Sequence, residues 1–465
     1  MGHRLSANPI TVAVVSFFSR YNAFVKIGVP KERSDGEQRV ALIPETVRKL
    51  TDAGLEVLVE SGAGRDYNLD EAYEESGAQI VSVGELYEGC ETILKVQKPA
   101  RAEVRVMREG TVLICLLQGP AFPELVWWLS KAGITVFSVE AIPRISRAQS
   151  MDALSAMGSI SGYKSAIIGA EYLGKYFPMM TTAAGTTKAA RVLVLGAGVA
   201  GLQAISTAKR LGAEVTAFDI RPEVKEQIES LGAAFLEEEK QAPARENDEQ
   251  EVYEPTGLAK FMVALGFNSF AEPPEPKGTE KNGGGDEQQD EQDEQDEVPE
   301  STDGYATIQA EEKQQRDRVL IREQLKETDV AISTALIPGK RAPILLTKEM
   351  VEEMKPGSVV VDVAAENGGN CELTDPGSIV DHQQVKIVGP VNIPSSVPIH
   401  ASQLYSRNML SLLRHLAPDG ELELDFEDEI TDGACIAHQG EIRHAPTIEA
   451  LKELRARAEE EEEAK

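Results

Sequence analysis

Residues 191–219 read RVLVLGAGVAGLQAISTAKRLGAEVTAFD, and this stretch decides the fold. A short strand, Arg191 to Leu195, leads into Gly196, Gly198 and Gly201 at the spacing G-x-G-x-x-G, and a helix-permissive segment follows from Val199. Each glycine has a mechanical task. Gly196 permits the tight turn, Gly198 lets the backbone approach a pyrophosphate, and Gly201 allows the helix to pack on its strand. The free N–H groups at the helix N-terminus are left to the anion. A second strand, Glu214 to Phe218, runs into Asp219, 18 residues beyond Gly201. A carboxylate there accepts hydrogen bonds from both adenosine ribose hydroxyls and repels a 2′-phosphate, so the pattern reads as NAD(H) rather than NADP(H). Arg221 argues the other way, but Asp219 holds the terminal strand position; Ile220 and Arg221 are grouped with it among the nucleotide-contacting residues. A bare glycine pattern would be weak, and it is the strand, the helix and the acid together that separate it from a ligand-free turn.

Outward from this unit, strands and helices alternate in both directions. Val25–Val29, Leu55–Glu60, Thr111–Leu117 and Ile134–Val139 read as strands, with helices over Pro44–Ala53 and Pro123–Ala132. Downstream, Asp329–Ser333, Ser358–Val363 and Lys386–Val388 continue the second unit. Alternation of this kind predicts an α/β protein with two Rossmann-like, doubly wound domains separated by a cleft. Residues 25–154 and 389–465 form a discontinuous first domain, to which the helix Ala401–Leu416 returns. Residues 155–388 form the NAD(H)-binding domain, and residues 1–24 are an N-terminal extension. Ser146–Phe177 reads as one long helix leading from the first unit into the second.

Charge is distributed unevenly. The chain of 465 residues carries a net charge of −30, and residues 237–300 alone hold 20 acidic against five basic side chains. Within them, Asn282–Glu297 has no large apolar residue to offset its ordering entropy, so a disordered acidic insertion over about 237–303 is expected. Such acidity excludes nucleic acid as a partner, since phosphate binding depends on clustered Lys and Arg. It suits a high-salt setting, and the terminal run Glu459–Glu463 reads as a solvated face rather than a docking tail. No apolar run reaches the roughly 20 residues a membrane span needs. The four cysteines are far apart, without a CxxC pair, which points to free thiols and no metal site. No histidine falls between residues 4 and 381. A dehydrogenase acting on an alcohol or amine moves a proton with the hydride and normally uses His or Lys, whereas transfer between two nicotinamides needs only apposition, orientation and dryness.

At the junction of the two units lies PRISRAQSMDALS, with Arg144, Gln149, Asp152 and Ser155. If the helix has begun by then, Gln149, Asp152 and Ser155 share a face and can hold a carboxamide and a ribose; otherwise they are an ordinary helix start capped by Ser146 or Ser150. With GVPKE, RVALIPETV, MMTTAAGTTKAARVLVLGAGVAGLQA, TALIPGK and MKPGSVVVDVAAENGGNCELT, this segment resembles the soluble NAD(H)-binding component of proton-translocating NAD(P) transhydrogenases, a family similar in fold to alanine dehydrogenase. The likeness runs from about Val25 to Arg443, the insertion excepted.

That resemblance implies that Arg144 and Ser155 orient the nicotinamide carboxamide, that Gln149 bridges toward the second nucleotide's ribose, and that Asp152 supports the same site. Gln149, Arg144 and Asp152 are then the catalytic set. Asp219 takes the adenosine ribose, Leu336 lines the adenosine side, and Gly304, Tyr305 and Ala306 match a mobile loop closing over the nucleotide. It further implies that NADP(H) sits on a separate partner subunit and that hydride passes directly from NADH to NADP⁺, coupled to proton translocation through membrane-embedded subunits. The chain would be a cytoplasmic homodimer, peripheral to the inner membrane through those partners. Two departures bear on the alternatives. Alanine dehydrogenases carry a Lys and a His near the substrate. Here KVQKP keeps Lys98 but ICLLQGP places Gln118 where the His would fall, and Glu366 stands near the position of an Asp. The insertion also ends immediately before Tyr305. Alanine dehydrogenase and a non-catalytic NAD(H)-binding module remain the alternative readings.

Overall fold

The computed structural model describes residues 25–65, 67–237, 315–336 and 341–463. The N-terminal extension, nearly all of the acidic insertion, and Gly304, Tyr305 and Ala306 lie outside these residues. Of the described residues, 25–236 and 318–463 form one compact unit built on two sheets.

In the first sheet, β1 (Lys26–Val29), β2 (Glu56–Glu60), β3 (Gln79–Val81), β4 (Thr92–Gln97), β5 (Val112–Leu116) and β6 (Thr135–Ser138) lie parallel in the order β3-β2-β1-β4-β5-β6. After an exposed hairpin, β7 (Met180–Thr182) and β8 (Gly185–Thr187), come the strands of the second sheet: β9 (Arg191–Leu195), β10 (Glu214–Phe218), β11 (Ala234–Phe235), β12 (Val330–Ser333), β13 (Val359–Asp362), β14 (Ile379–His382) and β15 (Val385–Val388). Their order is β11-β10-β9-β12-β13-β15-β14, parallel except for β14. Finally β16 (Cys435–His438) pairs antiparallel with β6, and β17 (Glu441–Ile442) pairs with β16. Both sheets therefore share the 3-2-1-4-5 order, with the chain reversing its direction of travel at β1/β4 and at β9/β12. Ligands of such sheets bind in the crevice beyond the strand C-termini at that reversal.

Side chains of a strand alternate faces, so burial of both sets means a sheet covered on both sides. In β9, Val192 and Val194 enter one core while Leu193 and Leu195 enter another; in β5, Val112 and Ile114 oppose Leu113 and Cys115 in the same way. Each fully buried Val or Leu contributes roughly 1.5–3 kcal/mol, which is why strands this short persist. Three helices position the site: α1 (Ala153–Tyr172), α2 (Val199–Arg210) and α3 (Pro398–Leu416). Helix α1 is rich in Ala, Ser and Gly and has no polar side, as befits a helix packed against α2, α3 and strands β12 and β13. Ala401, Tyr405, Met409 and Leu413 of α3 lie in the same core as Ile27, Val29, Leu94 and Val96 of the first sheet, and the Tyr405 hydroxyl donates to the Lys95 carbonyl at 2.7 Å.

One expectation needs correction. The long helix does not begin at Ser146: residues Ser146–Met151 form a 3₁₀ turn, and α1 starts at Ala153 and ends at Tyr172. Asp152 interrupts the run because its side chain accepts from the Ser155 N–H, the geometry of a residue preceding a helix rather than inside it. Among the described residues no helix is long and apolar enough to cross a membrane, and no group of three or more His, Cys, Asp or Glu side chains is placed to hold a metal ion.

Candidate functional site

The turn between β9 and α2 behaves as its glycines require. Gly196 has φ +97°, a left-handed conformation that side chains disfavour, and its N–H donates to the Phe218 carbonyl at 2.8 Å. A Cβ on Gly201 would lie 1.9 Å from the Gly196 carbonyl oxygen, so strand and helix meet at a distance only glycine allows. A Cβ on Gly198 would meet nothing within 4 Å. Gly198 stands before the first residue of α2 with no side chain capping the helix. An uncapped helix N-terminus with room in front of it fits a pyrophosphate.

The neighbouring strand ends complete the crevice. Asp219 follows β10, and its carboxylate accepts from the Ala197 N–H at 2.7 Å and from the Arg221 N–H at 2.9 Å. Arg221 also lays its guanidinium across the same carboxylate, with Nε and Nη2 each 3.0 Å from one oxygen. Burial works against the Asp219 charge, but the hydrogen bonds from Arg221 and Ala197 outweigh it and hold the carboxyl below its usual range. Arg221, which from the sequence argued only against NAD(H), is thus the direct partner of the acid. Exposed apolar side chains surround the turn: Ile220 is 68% and Leu336 48% exposed, on the loops after β10 and β12, and Val199, the first residue of α2, is 47% exposed. Apolar groups left in water at strand ends suit a flat aromatic ligand.

Residues without an assigned role hold the Leu336 loop in place. Asp362, fully buried at the end of β13, accepts from the N–H groups of Ala364, Asn370 and Cys371 and from the Thr374 hydroxyl. Asn370 in turn donates to the Ala335 carbonyl at 2.9 Å and accepts from its N–H at 3.1 Å. The run ENGGN before Cys371 is visible in the sequence, but nothing there says which loop it braces.

The segment 144–155 places its polar groups differently from a continuous helix. Arg144 and Gln149 are exposed, and neither side chain has a hydrogen-bond partner among the described residues. Asp152 and Ser155 bond to one another, hydroxyl to carboxylate at 2.6 Å. Arg147 pins the turn through Asp428 at 2.6 Å, and Asn408 of α3 donates to the Ser150 carbonyl. Asp152 and Ser155 sit at the start of α1, one turn from Gly158, whose Cβ would lie 3.8 Å from Val199. At Gly162 a Cβ would lie 2.0 Å from the Ala200 carbonyl oxygen. Close packing of α1 on α2 therefore brings this segment to the glycine turn. Of the sequence-derived site residues, Gly196, Gly198, Val199, Gly201, Asp219, Ile220, Arg221 and Leu336 gather at the second sheet, Asp152 and Ser155 meet at the head of α1 with Arg144 and Gln149 exposed in the segment before it, and Gly304 and Tyr305 lie outside the described residues.

Family models for the N-terminal and C-terminal domains of alanine dehydrogenase/PNT match residues 28–161 and 165–445. The chain belongs to the alanine dehydrogenase/PNT family. The first part of NAD(P) transhydrogenase subunit alpha from Rhodospirillum rubrum is 42% identical over 429 residues, covering 90% of this chain and 98% of that protein. The crystal structure of transhydrogenase from Sinorhizobium meliloti aligns with a TM-score of 0.71 at 35% identity, covering 90% of this chain and 99% of that one. A solved L-alanine dehydrogenase aligns with a TM-score of 0.65 at 26% identity, covering 92% and 99%.

Lys98 follows β4, its ammonium 3.9 Å from the Phe122 ring centre; burial holds it below its usual range while the Glu366 charge pulls the other way. Gln118 adopts φ +56° in a turn whose N–H groups, those of Leu117 and Gln118, donate to the Glu140 carboxylate. Four described histidines have partners elsewhere, His382 with Glu352, His415 with Thr431, His438 with Thr135 and His444 with Thr447, and His400 is exposed in the first turn of α3. Arg39, 2% exposed, is occupied by Glu37, with Nε and Nη2 at 2.8 and 2.6 Å from its two oxygens. Asn392, which also donates its N–H to Glu366, and Gln97 complete the cluster. Nothing in the sequence singles out this pair; two charges two residues apart are ordinary on a surface, and only burial makes them matter.

Burial opposes the Glu37 charge, yet the hydrogen bonds and charge of Arg39, with help from Gln97, hold its carboxyl at about 2. A depressed carboxyl stabilises the fold above its unfolded pKa and loses that contribution as pH falls through the folded value. About 3 kcal/mol is therefore expected to disappear between roughly pH 4.5 and 2. Urea midpoints at pH 3 and 7 test this: Glu37→Gln should show a smaller acid loss than the parent, and equal losses would refute it.

Proposed function

We propose that this chain is the NAD(H)-binding component of a proton-translocating transhydrogenase, presenting NADH for direct hydride transfer to NADP⁺ held by a separate subunit. The glycine turn with the uncapped start of α2 would hold the pyrophosphate, Asp219 the adenosine ribose, and Val199, Ile220 and Leu336 the adenine side. Bound NADH supplies the hydride. The chain's own task is to bind, to orient and to exclude water: Arg144 and Ser155 would orient the carboxamide, Asp152 fixes Ser155, and Gln149 reaches outward toward the second coenzyme. Arg221 must yield at least some of its hold on Asp219 for a ribose to bind there.

The observation that carries this reading is the pair of unpartnered polar side chains, Arg144 and Gln149, exposed in the segment that leads into α1, the helix packed on the one that follows the glycine turn. Groups free to meet a second coenzyme suit apposition of two rings better than enclosure of a metabolite. Two further features weigh against an amino acid substrate: Gln118 stands where a dehydrogenase of this family carries its imidazole, and the nearby guanidinium of Arg39 is already saturated by Glu37. The end-to-end likeness to transhydrogenase subunits supports the same choice. Membrane association and proton coupling then belong to partner subunits, with this chain at the cytoplasmic face of the inner membrane. A homodimer is supported by the β7–β8 hairpin, whose six residues are all exposed; a lone two-stranded hairpin is marginal in water and gains from a covering partner.

The test is NADH-dependent reduction of an NADP⁺ analogue, measured with and without the NADP(H)-binding and membrane subunits. Turnover only with the partners supports the proposal; alanine-dependent reduction of NAD⁺ by the isolated chain would overturn it in favour of alanine dehydrogenase. Gln149→Asn shortens a free side chain by one methylene. Transfer is expected to slow by about 10–100-fold, as misplacement by an ångström does, with NADH affinity within about twofold of the parent. A large loss of binding would mean that Gln149 holds NADH itself.

A further inference from the structure

The first sheet has the same strand order as the second, but the turn after its β1 runs PKERSDG in place of the G-x-G-x-x-G that follows β9. The loop after β1 runs PKERSDGEQR, and the loop after β2 runs SGAGR before Asp66. Between these loops lies a cavity of about 750 Å³, lined by Lys31, Arg33, Asp35, Gly62, Arg65 and Tyr67 among others. Its place relative to β1 and β2 is that of the Gly196 turn and Asp219 relative to β9 and β10.

The charges in its wall are unequally satisfied. Glu60 is occupied by the Lys31 N–H at 2.8 Å and by Arg33 at 2.5 Å, and Glu37 by Arg39. The Lys31 ammonium has no partner among the described residues and would stand 3.5 Å from a Cβ on Gly62. Arg65 donates one Nη to the Glu32 carbonyl at 3.2 Å, while its Nε is buried without a hydrogen-bond partner. Arg65 also holds φ +51°, a conformation that costs a non-glycine residue free energy. Among the described residues, Lys31 and Arg65 therefore line the cavity with Asp35 as the remaining acid, in a chain whose net charge is −30. A buried N–H left unpaired is unfavourable unless an acceptor arrives.

We propose that this cavity is a second anion site, independent of the NAD(H) crevice, taking the phosphate of a small phosphorylated molecule. Lys31 and Arg65 supply the charge-assisted donors that a helix N-terminus supplies in the second sheet. The cavity is large enough for a ligand of mononucleotide size, with the Tyr67 ring and Asp35 on its rim for the non-phosphate portion.

Inorganic phosphate is the probe, titrated into the full chain by isothermal calorimetry in chloride buffer at about 0.15 M, with and without saturating NADH. Saturable binding of one phosphate per chain is expected, unchanged by NADH. Lys31→Ala and Arg65→Gly should each weaken it about tenfold or more. Arg65→Gly places glycine in a left-handed position, so its thermal midpoint should equal or exceed the parent's, and a loss of binding there is not a loss of fold. NADH affinity should be unchanged in both variants, which separates this site from the NAD(H) reading. Absence of saturable binding up to about 10 mM, displacement by NADH, or indifference to both substitutions would each overturn the proposal.

Discussion

Gly201→Ala is expected to abolish useful NADH binding, lowering affinity by about 100-fold or more, and to destabilise the fold by about 1–3 kcal/mol. The added methyl would lie 1.9 Å from the Gly196 carbonyl oxygen and 2.8 Å from its carbon, both backbone atoms that cannot rotate away. Helix α2 must then back off its strand, and the N–H groups that would hold the pyrophosphate move with it. Charge-assisted hydrogen bonds are worth about 1.5–3 kcal/mol each, so misplacing two accounts for the loss. Gly198→Ala is the discriminating companion. Its methyl meets no protein atom within 4 Å, and Gly198 has φ −77°, which alanine adopts freely. The thermal midpoint should stay within about a degree of the parent's while NADH affinity falls about tenfold or more, because the methyl enters space that the pyrophosphate needs. Fluorescence titration with NADH and a thermal melt measure both. If Gly198→Ala binds NADH normally, the dinucleotide does not approach this backbone.

Arg39→Met carries the largest expected effect on stability, a loss of about 3–5 kcal/mol. Glu37 would remain 1% exposed with its counter-charge removed, and Gln97, Asn392 and Ser395 offer it neutral donors only. The pair joins pieces far apart in the chain: the loop after β1, the end of β4, the Asn392 turn after β15, and Met157 of α1, whose sulfur lies 3.3 Å from an Arg39 nitrogen. Removing both charges together, as Glu37→Leu with Arg39→Met, should recover most of the loss, since replacing a buried pair by apolar groups is often neutral or stabilising. Urea denaturation of the single and double variants decides this. A single variant as stable as the parent would mean that water reaches Glu37 after all.

These expectations separate into those readable in the residues and those that were not. The strand over 191–195, the turn glycines and the acid at 219 lie within 29 consecutive residues, and their roles follow from local sterics, so the turn was legible before any fold was known. Strands such as VLVL and VVVD were legible too, because such runs bury on two faces wherever they stand, whereas β3, β4, β14 and β16 were not singled out from the sequence. The start of α1 was not: Ser146–Met151 is as helix-permissive as the residues after it, and the choice lies in one carboxylate, Asp152, turning back to the Ser155 N–H.

Sequence alone determined that a strand, a glycine turn and a helix follow one another here with an acid at the end of the next strand, since these depend on neighbours along the chain. Only tertiary structure decided that Arg221 lies on that acid, that Asp362 and Asn370 brace the Leu336 loop, that Glu37 and Arg39 form a buried knot across some 350 residues of chain, and that Lys31 and Arg65 line one cavity. The physical reason is that burial and long-range approach set the strength of a charge. Lys31 and Arg65 are ordinary in a chain with 47 Lys and Arg until two strand ends leave them facing the same space.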